Sequence, residues 1–421
     1  MTQVAATPNS SRLVTALSEA PWLTRERARA YAGIFLVMSL AGLAVWVALS
    51  SGGLDRLGKP LGADFIIFWT GSSMALSGHG AQVYDVAVHH AAQSRLFHRD
   101  VGYFPFLYPP IYLLVCLPLA LMPYFVALAA WLAVTGLAYW RVARAWLGER
   151  FGLLPIVAFP AVLVNVGHGQ NGFLTTALFG GATLLLNRRP IVAGILFGCM
   201  AYKPQLGLVI PLALMAAGRW KTIAAAAATV LVLAGLSVAV FGPDTWRAFL
   251  AISPLARAVL DQGLVAYPKL QSAFAAVRLL HGGLGLAYGI QIAVTLAACA
   301  GLVLLQRRSF RGGAEGPAMV TAALLASPYL LDYDLVLLAI PLAWMTREGV
   351  RTGFRPWEKV TLLAAFVLPI ASRSIASSLG LPLAPLVIGA LFVLVLRRGL
   401  EPAQASGGRP VRPLSGAPET L

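Results

Sequence analysis

Apolar runs of about 15–20 residues, close to the length a helix needs to cross a hydrocarbon core of ~30 Å, recur from Tyr31 to Leu396. Short polar or basic stretches separate them. The pattern predicts a first span over 31–49 and then a long loop over 51–105. The middle of that loop, 65–76, has apolar residues at helical spacing and is expected to lie along the membrane surface. A more polar helix is expected over 89–98. Tyr108-Pro109-Pro110 opens the next apolar segment, to about 121, since proline suits the first turn of a helix. Met122-Pro123 ends it, and a third segment reaches about 140. Residues 151–165 are apolar but short. A polar break at 167–171 precedes a span to about 186. Segments 191–202 and 206–217 form a helical pair broken at Lys203-Pro204-Gln205. Further spans are predicted over 222–241, 288–305, 318–326, 335–344, 360–371 and 383–396, with a second long loop over 242–281.

Basic residues cluster between the runs: Arg25-Arg27-Arg29, Arg188-Arg189, Arg219-Lys221, Arg307-Arg308-Arg311, Arg347-Arg351-Arg355 and Arg397-Arg398. Under the positive-inside rule these lie in the cytoplasm with both termini, so the number of spans is even. About thirteen apolar segments are present, so one does not span. The conflict is confined to 108–165. The short segment 151–165 is expected to re-enter from the outside, which would put 141–150 outside, against the charge rule. The expected organisation is a cytoplasmic tail over 1–29, disordered or interfacial, a transmembrane domain over 30–398 and a disordered cytoplasmic tail over 399–421. The fold class is all-α and polytopic, with about 12 transmembrane helices and a long first extracytoplasmic loop.

Composition excludes a soluble domain. Of the 421 residues 58% are hydrophobic and 11% charged, and the mean hydropathy is +0.77, whereas soluble domains are about a quarter charged. The net charge of +16 would point to nucleic acid in a soluble chain. Here the clusters face anionic headgroups instead, and no nucleic-acid partner is expected. Cys116, Cys199 and Cys299 sit inside apolar runs without CxxC spacing and read as core or lipid-facing residues. The polar first 30 residues and the long run after Tyr31 indicate a retained first helix rather than a cleaved signal.

Several polar residues map to one side of the membrane: Asp64, Asp85, Gln170, Asn171, Lys203, Gln205, Lys269, Asp332, Asp334 and Arg373. So many in so apolar a chain point to a polar cavity on that face. Asp64 sits between Gly62-Ala63 and Phe65-Ile66-Ile67-Phe68-Trp69. It suits a general base for a sugar hydroxyl, and equally an N-cap for the helix that follows. Lys203 could hold a phosphate or snorkel to the interface, with Gln205 beside it. His168-Gly169-Gln170-Asn171 could bind sugar hydroxyls or form an ordinary turn. Asp332 and Asp334 could bind a sugar or a metal, or cap a helix starting near 335. No second acidic cluster completes a ligand set, so no metal and no cofactor are expected. His89 and His90 read as exposed loop residues. No Ser-His-Asp, P-loop or HExxH arrangement is present.

These pieces together resemble glycosyltransferase family 87 of the GT-C superfamily. The matching residues are Ala63-Asp64-Phe65 with Phe68-Trp69, Gly78 to Tyr84-Asp85, Tyr108-Pro109-Pro110, Pro118-Leu119-Ala120, Gly169-Gln170-Asn171, Lys203-Pro204-Gln205, and Ser327-Pro328-Tyr329 to Tyr333-Asp334. The resemblance implies a multi-spanning GT-C fold and transfer of a hexose, typically mannose, from a polyprenyl-phosphate donor to a lipid or glycan acceptor on the outer face, with inversion. It also implies an acidic base in the first external loop, at the position of Asp64. In that reading Lys203, with Lys269 or Arg373, neutralises the leaving phosphate, and the helices near Tyr108 border a groove for the polyprenyl tail. The location implied is the plasma (inner) membrane, with the active site facing the periplasm or cell exterior. Two other classes stay open. A transporter or flippase would suit the broken helices, but predicts an internal repeat that the sequence does not show. A non-catalytic scaffold would leave Asp64 replaceable.

Overall fold

The computed structural model describes residues 8–308 and 313–401. Residues 1–7 and 402–421 of the two expected tails, and Arg311 of a basic cluster, lie outside the described residues. Among the described residues every regular element is helical, and β structure is limited to isolated bridges.

The chain shuttles between two poles. Helix α1 (Pro8–Glu19) precedes α2 (Arg25–Ala48), which is capped by the Thr24 hydroxyl accepting from the Arg27 N–H. The first long loop holds α3 (Phe65–Leu76), α4 (Val86–Leu96) and α5 (Ile111–Cys116), the last prolonged by a 3₁₀ turn to Leu121. Helix α6 (Tyr124–Leu147) runs back to the pole where α2 began. Then follow α7 (Leu154–Val157) with α8 (Pro160–His168), α9 (Gly172–Leu185), α10 (Pro190–Gly198) with a 3₁₀ extension to Tyr202, α11 (Pro204–Gly207) with α12 (Ile210–Ala216), and α13 (Trp220–Phe241). The second long loop holds α14 (Pro243–Asp261) and α15 (Ala273–Leu279). The last passes are α16 (Leu284–Arg307), α17 (Glu315–Ala326), a 3₁₀ segment Asp332–Leu338 leading into α18 (Ala339–Thr352), α19 (Glu358–Leu379) and α20 (Leu383–Leu400).

Side-chain contacts fix which ends meet. At one pole Arg219 bridges Glu315 (2.9 Å) and Asn187 (2.7 Å), joining the ends of α9, α13 and α17. The Trp146 indole donates to the Gly180 carbonyl (3.1 Å), which brings in the end of α6. Arg398 pairs with Glu358 (2.5 Å) and donates to the Gly353 carbonyl (2.8 Å), joining α18, α19 and α20. Lys359 donates to the Ala20 carbonyl (3.3 Å), which adds the start of α2. Most of the arginine clusters lie here, so this is the basic pole. At the opposite pole the Asp64 N–H donates to the His168 carbonyl (2.9 Å), joining the start of α3 to the end of α8. The Tyr124 hydroxyl donates to the Leu61 carbonyl (3.0 Å), which places the start of α6 there too.

Among the described residues six helices are long and apolar enough to cross a membrane: α2, α6, α13, α16, α19 and α20. Six further passes run between the poles as shorter or broken helices: α7–α8, α9, α10, α11–α12, α17 and the 332–352 unit. The expectation that 151–165 re-enters is therefore corrected. Leu154 and Ile156 line a cavity together with Thr24 and Val350 at the basic pole, while His168 meets Asp64 at the other. The segment that turns back is Ile111–Leu121. It starts beside Tyr108 and ends at Met122, whose carbonyl accepts from the Trp69 indole (2.9 Å) in α3. This places 141–150 on the basic pole, in agreement with the charge rule.

Two smaller expectations also change. Helix α3 does not lay its apolar residues on lipid: Phe65, Ile66, Phe68, Thr70 and Ser72 are buried in protein, under the 3₁₀ turns 80–84 and 117–121. His89 is not exposed but fully buried. Its neighbour Gln93 clamps the Phe104 backbone in both directions (2.7 and 3.0 Å) and so closes the lobe over it. Helices α10 and α13 pack backbone to backbone, because any Cβ on Gly194 or Gly198 would run into the Thr222 or Ala226 carbonyl.

Single cysteines introduced at Ser51 and Leu121 in a cysteine-free background should react with a membrane-impermeant maleimide from one side only. Cysteines at Arg150 and Arg188 should react from the other side only. Reaction of the Leu121 and Arg150 positions from the same side would overturn this path of the chain. A second expectation concerns pH. Burial pushes the His89 imidazole down from 6.5 to about 4. The neutral ring is favoured by folding, so its contribution is complete above pH 6.5 and is lost as pH falls toward 4, on the order of 3 kcal/mol in all. The thermal midpoint should fall across that window, and His89→Phe should flatten the fall between pH 6.5 and 5.

Candidate active site

The site is built where the helical passes break. Gly62 and Gly169 both adopt left-handed backbone (φ 68° and 64°) and pack face to face: a Cβ on Gly169 would come 3.3 Å from the Gly62 Cα and 2.7 Å from the Phe65 Cβ. Only glycine permits both the conformation and the approach. This contact seats the 62–64 turn on the 168–171 break and brings Asp64 to Gln170.

Asp64 occupies the N-cap position of α3 but makes no cap bond, and its backbone is itself helical (φ −88°, ψ −16°). Its carboxylate instead accepts from the Gln170 amide (3.3 Å) and lies 4.0 Å from the Lys269 ammonium. Asp64 is 7% exposed. The Gln170 amide is oriented for this, because its oxygen accepts from the Asn171 N–H (2.8 Å) and the Tyr108 hydroxyl (3.4 Å). Its NH₂ is thereby left for Asp64. Lys269 reaches the site through a small bridge: Leu270 pairs with Leu331, and the Gln271 N–H donates to the Leu330 carbonyl (2.7 Å).

Lys203 does not snorkel. It is buried and pairs with Asp334 at 2.5 Å, 131 residues along the chain. The second Asp334 oxygen accepts from the Leu331 N–H (3.3 Å). Asp332 accepts from Arg373 (3.3 Å) and from the Tyr333 N–H (3.0 Å). The Tyr333 ring lies between the two lysines, 5.2 Å from the Lys203 ammonium and 5.8 Å from that of Lys269. His168 hydrogen-bonds the Val164 carbonyl (2.9 Å) and has its ring 5.7 Å from that of Tyr333. The structure thus gathers Asp64, Tyr108, His168, Gln170, Asn171, Lys203, Lys269, Asp332, Asp334 and Arg373 at one pole.

Two of the expected residues stand apart. Asp85 is exposed and caps α4 by accepting from the Val88 N–H (3.0 Å). Gln205 is half-buried in the first turn after the Lys203 break and has no hydrogen-bond partner among the described residues. The sequence reading missed an aromatic and amide layer beneath the site. Tyr112 stacks on Tyr202 (4.8 Å) and meets Tyr108 at a tilt (4.6 Å), and its hydroxyl accepts from Asn171 (3.1 Å). Asn165 accepts from the Gly172 N–H (2.9 Å). Tyrosines at three of the breaks, Tyr108 with Tyr112, Tyr202, and Tyr329 with Tyr333, were the available signal. The geometry offers a carboxylate held between an amide donor and a cation, with partly exposed Lys269 and Arg373 beside it. Such a carboxylate can take a proton, and such cations can meet an anion.

Removing one partner of the Lys203–Asp334 pair strands a buried charge, which costs about 3–5 kcal/mol. Lys203→Met and Asp334→Leu should each lower the thermal midpoint sharply in detergent, and the double variant should recover most of the loss. A double variant no better than the sum of the two would show that the residues do not act as a pair.

No curated protein and no solved structure matches the chain. The profile of glycosyltransferase family 87 matches residues 106–328, a stretch that includes the Tyr108, Gln170, Lys203 and Lys269 positions and leaves Asp64 and Asp334 outside it. That match covers more than half of the chain and joins a helical membrane architecture to a polar site at one pole: the chain belongs to glycosyltransferase family 87.

Proposed function

We propose that this membrane glycosyltransferase moves a hexose, mannose in the first instance, from a polyprenyl-phosphate donor to a lipid or glycan acceptor, with Asp64 as general base. The observation that supports this most directly is that Asp64 leaves its helix uncapped and faces Gln170 and Lys269 instead. A carboxylate serving only the fold would take the cap bond, which is typically worth ~1 kcal/mol. The positive-inside rule would put the basic pole in the cytoplasm and the site on the extracytoplasmic face of the plasma (inner) membrane. A lipid-borne donor would meet the enzyme there without any nucleotide-binding domain. The catalytic unit would be residues 30–398, flanked by cytoplasmic tails.

In this reading the acceptor hydroxyl gives its proton to Asp64 as its oxygen attacks the anomeric carbon. The bond to the phosphate oxygen breaks on the opposite face, with inversion. Lys269 serves both ends of the event. It balances the Asp64 carboxylate before transfer, and as that carboxylate is neutralised by its proton the ammonium becomes free to meet the leaving phosphate. Arg373 would assist. Lys203 would act on the phosphate only through the Asp334 and Tyr333 framework that it holds. Gln170, Asn171, His168 and Tyr108 would contact the sugar.

The test uses purified enzyme in lipid, radiolabelled polyprenyl-phosphate mannose and a membrane extract as acceptor. Asp64→Asn should cut transfer by ~10²–10⁴-fold with folding intact. Lys269→Ala should cut it by ~10²-fold or more. Transfer by Asp64→Asn at the unmodified rate would remove Asp64 from catalysis.

A further inference from the structure

A cavity of about 330 Å³ lies at the basic pole, on the side of the bundle away from Asp64. It lies between the first half of α2 and a wall formed by α6, α18 and α19, with α7, which touches α2, closing one side. Its lining is apolar, with Phe35, Tyr139, Ile156, Phe159, Leu342 and Leu362 among the residues that form it. In helix α2 only Ala32 is buried. The helix packs chiefly on α7 and α8, so a gap remains between it and α6, α18 and α19, flanked by a helix that otherwise faces lipid. An apolar gap at that depth does not hold water, which would need polar partners there. It takes hydrocarbon.

The rim is polar and of one sign. Arg25 and Arg29, one helical turn apart, border the cavity together with Lys359. Lys359 is partly engaged, donating to the Ala20 carbonyl (3.3 Å) with its ammonium 5.8 Å from the Phe354 ring. Arg25 and Arg29 are exposed and have no acidic partner among the described residues. Glu26 is exposed on α2 and is not part of the lining.

We propose that this cavity is a binding site for an anionic glycerophospholipid, with one acyl chain in the cavity and the phosphate between Arg25 and Arg29. Charge complementarity at the rim selects the headgroup, and the apolar walls select the chain. The donor is a poor candidate for the occupant, because its phosphate has to reach Asp64 at the opposite pole. The site also has a mechanical position. The walls are the same elements that bear the active-site groups at their far ends: α2 leads into the 62–64 turn, α7 continues through α8 to His168, the segment before α18 holds Asp332 and Asp334, and α19 holds Arg373. A lipid seated here sets the spacing of four struts at once.

The experiment is native mass spectrometry on delipidated full-length protein in detergent, with phosphatidylglycerol and phosphatidylcholine of identical acyl chains in equal amounts. Phosphatidylglycerol should be retained roughly 30-fold over phosphatidylcholine, the order of discrimination expected from two arginines at an anionic headgroup. Arg25→Ala with Arg29→Ala should bring the ratio to about one, and the corresponding lysine pair should keep the preference. Ala28→Trp, which fills the cavity from an exposed position on α2, should remove the retained lipid of either type. Equal retention by the unmodified protein, an unchanged ratio in the double alanine variant, or an unchanged adduct in Ala28→Trp would each overturn the proposal. Displacement of phosphatidylglycerol by an equal amount of polyprenyl phosphate would reassign the cavity to the prenyl lipid and overturn it as well.

Discussion

Inside hydrocarbon, a backbone N–H or C=O that leaves its helix must find a partner in protein, because no water is there to take it. That constraint organises this molecule. Its passes break at 62–64, 168–171, 203 and 327–334, and the backbone groups freed there find partners in protein. The Asp64 N–H finds the His168 carbonyl, the Gln170 N–H the Asn165 carbonyl, and the Gln271 N–H the Leu330 carbonyl. The Gly172 N–H finds the Asn165 side chain. Interruptions that would be costly in lipid are tolerated here because each is enclosed in protein. The functional groups come together because the irregular backbone that carries them has to.

The buried Lys203–Asp334 pair follows the same logic for side chains. Two charges with almost no exposure gain little net stability from each other, since desolvation consumes most of their attraction. What the pair fixes is register. It ties the break after α10 to the segment before α18, and Tyr333 is then held between Lys203 and Lys269. The backbone-to-backbone packing of α10 on α13 through Gly194 and Gly198 fixes the other side of that break.

Much of the fold was legible because prolines, glycines and lone charges inside apolar runs have few explanations. The breaks at 108–110, 168–171, 203–205 and 327–334 were all visible, as was the gathering of Asp64, Gln170 and Lys269 on one face. What stayed hidden depends on partners far away in sequence. Length could not separate 111–121, which turns back, from 151–165, which crosses; contacts such as Tyr124 to Leu61 decide it. Asp64 read equally as a cap or a base, and the Gln170 that engages it lies 106 residues away. Lys203 read as a snorkelling or phosphate-binding residue because Asp334 could not be matched to it by spacing. His89 sits among polar neighbours, and its burial is imposed by the chain near Phe104 folding over it.

The polar groups at the site pole form three one-to-one pairs: Asp64 with Lys269, Asp334 with Lys203, and Asp332 with Arg373. Such a cluster holds no spare positive charge. A polyprenyl-phosphate sugar is a phosphodiester with a single negative charge, whereas the polyprenyl phosphate left behind is a monoester with ~1.5 to 2. On the function proposed, its extra charge would be met on loan by Lys269, assisted by Arg373, for as long as Asp64 keeps the acceptor's proton. When that proton departed, the carboxylate would reclaim its ammonium and the spent lipid would lose its hold. For such a donor, resetting the base and expelling the product would be a single event, and turnover would wait on a proton rather than on a moving lid.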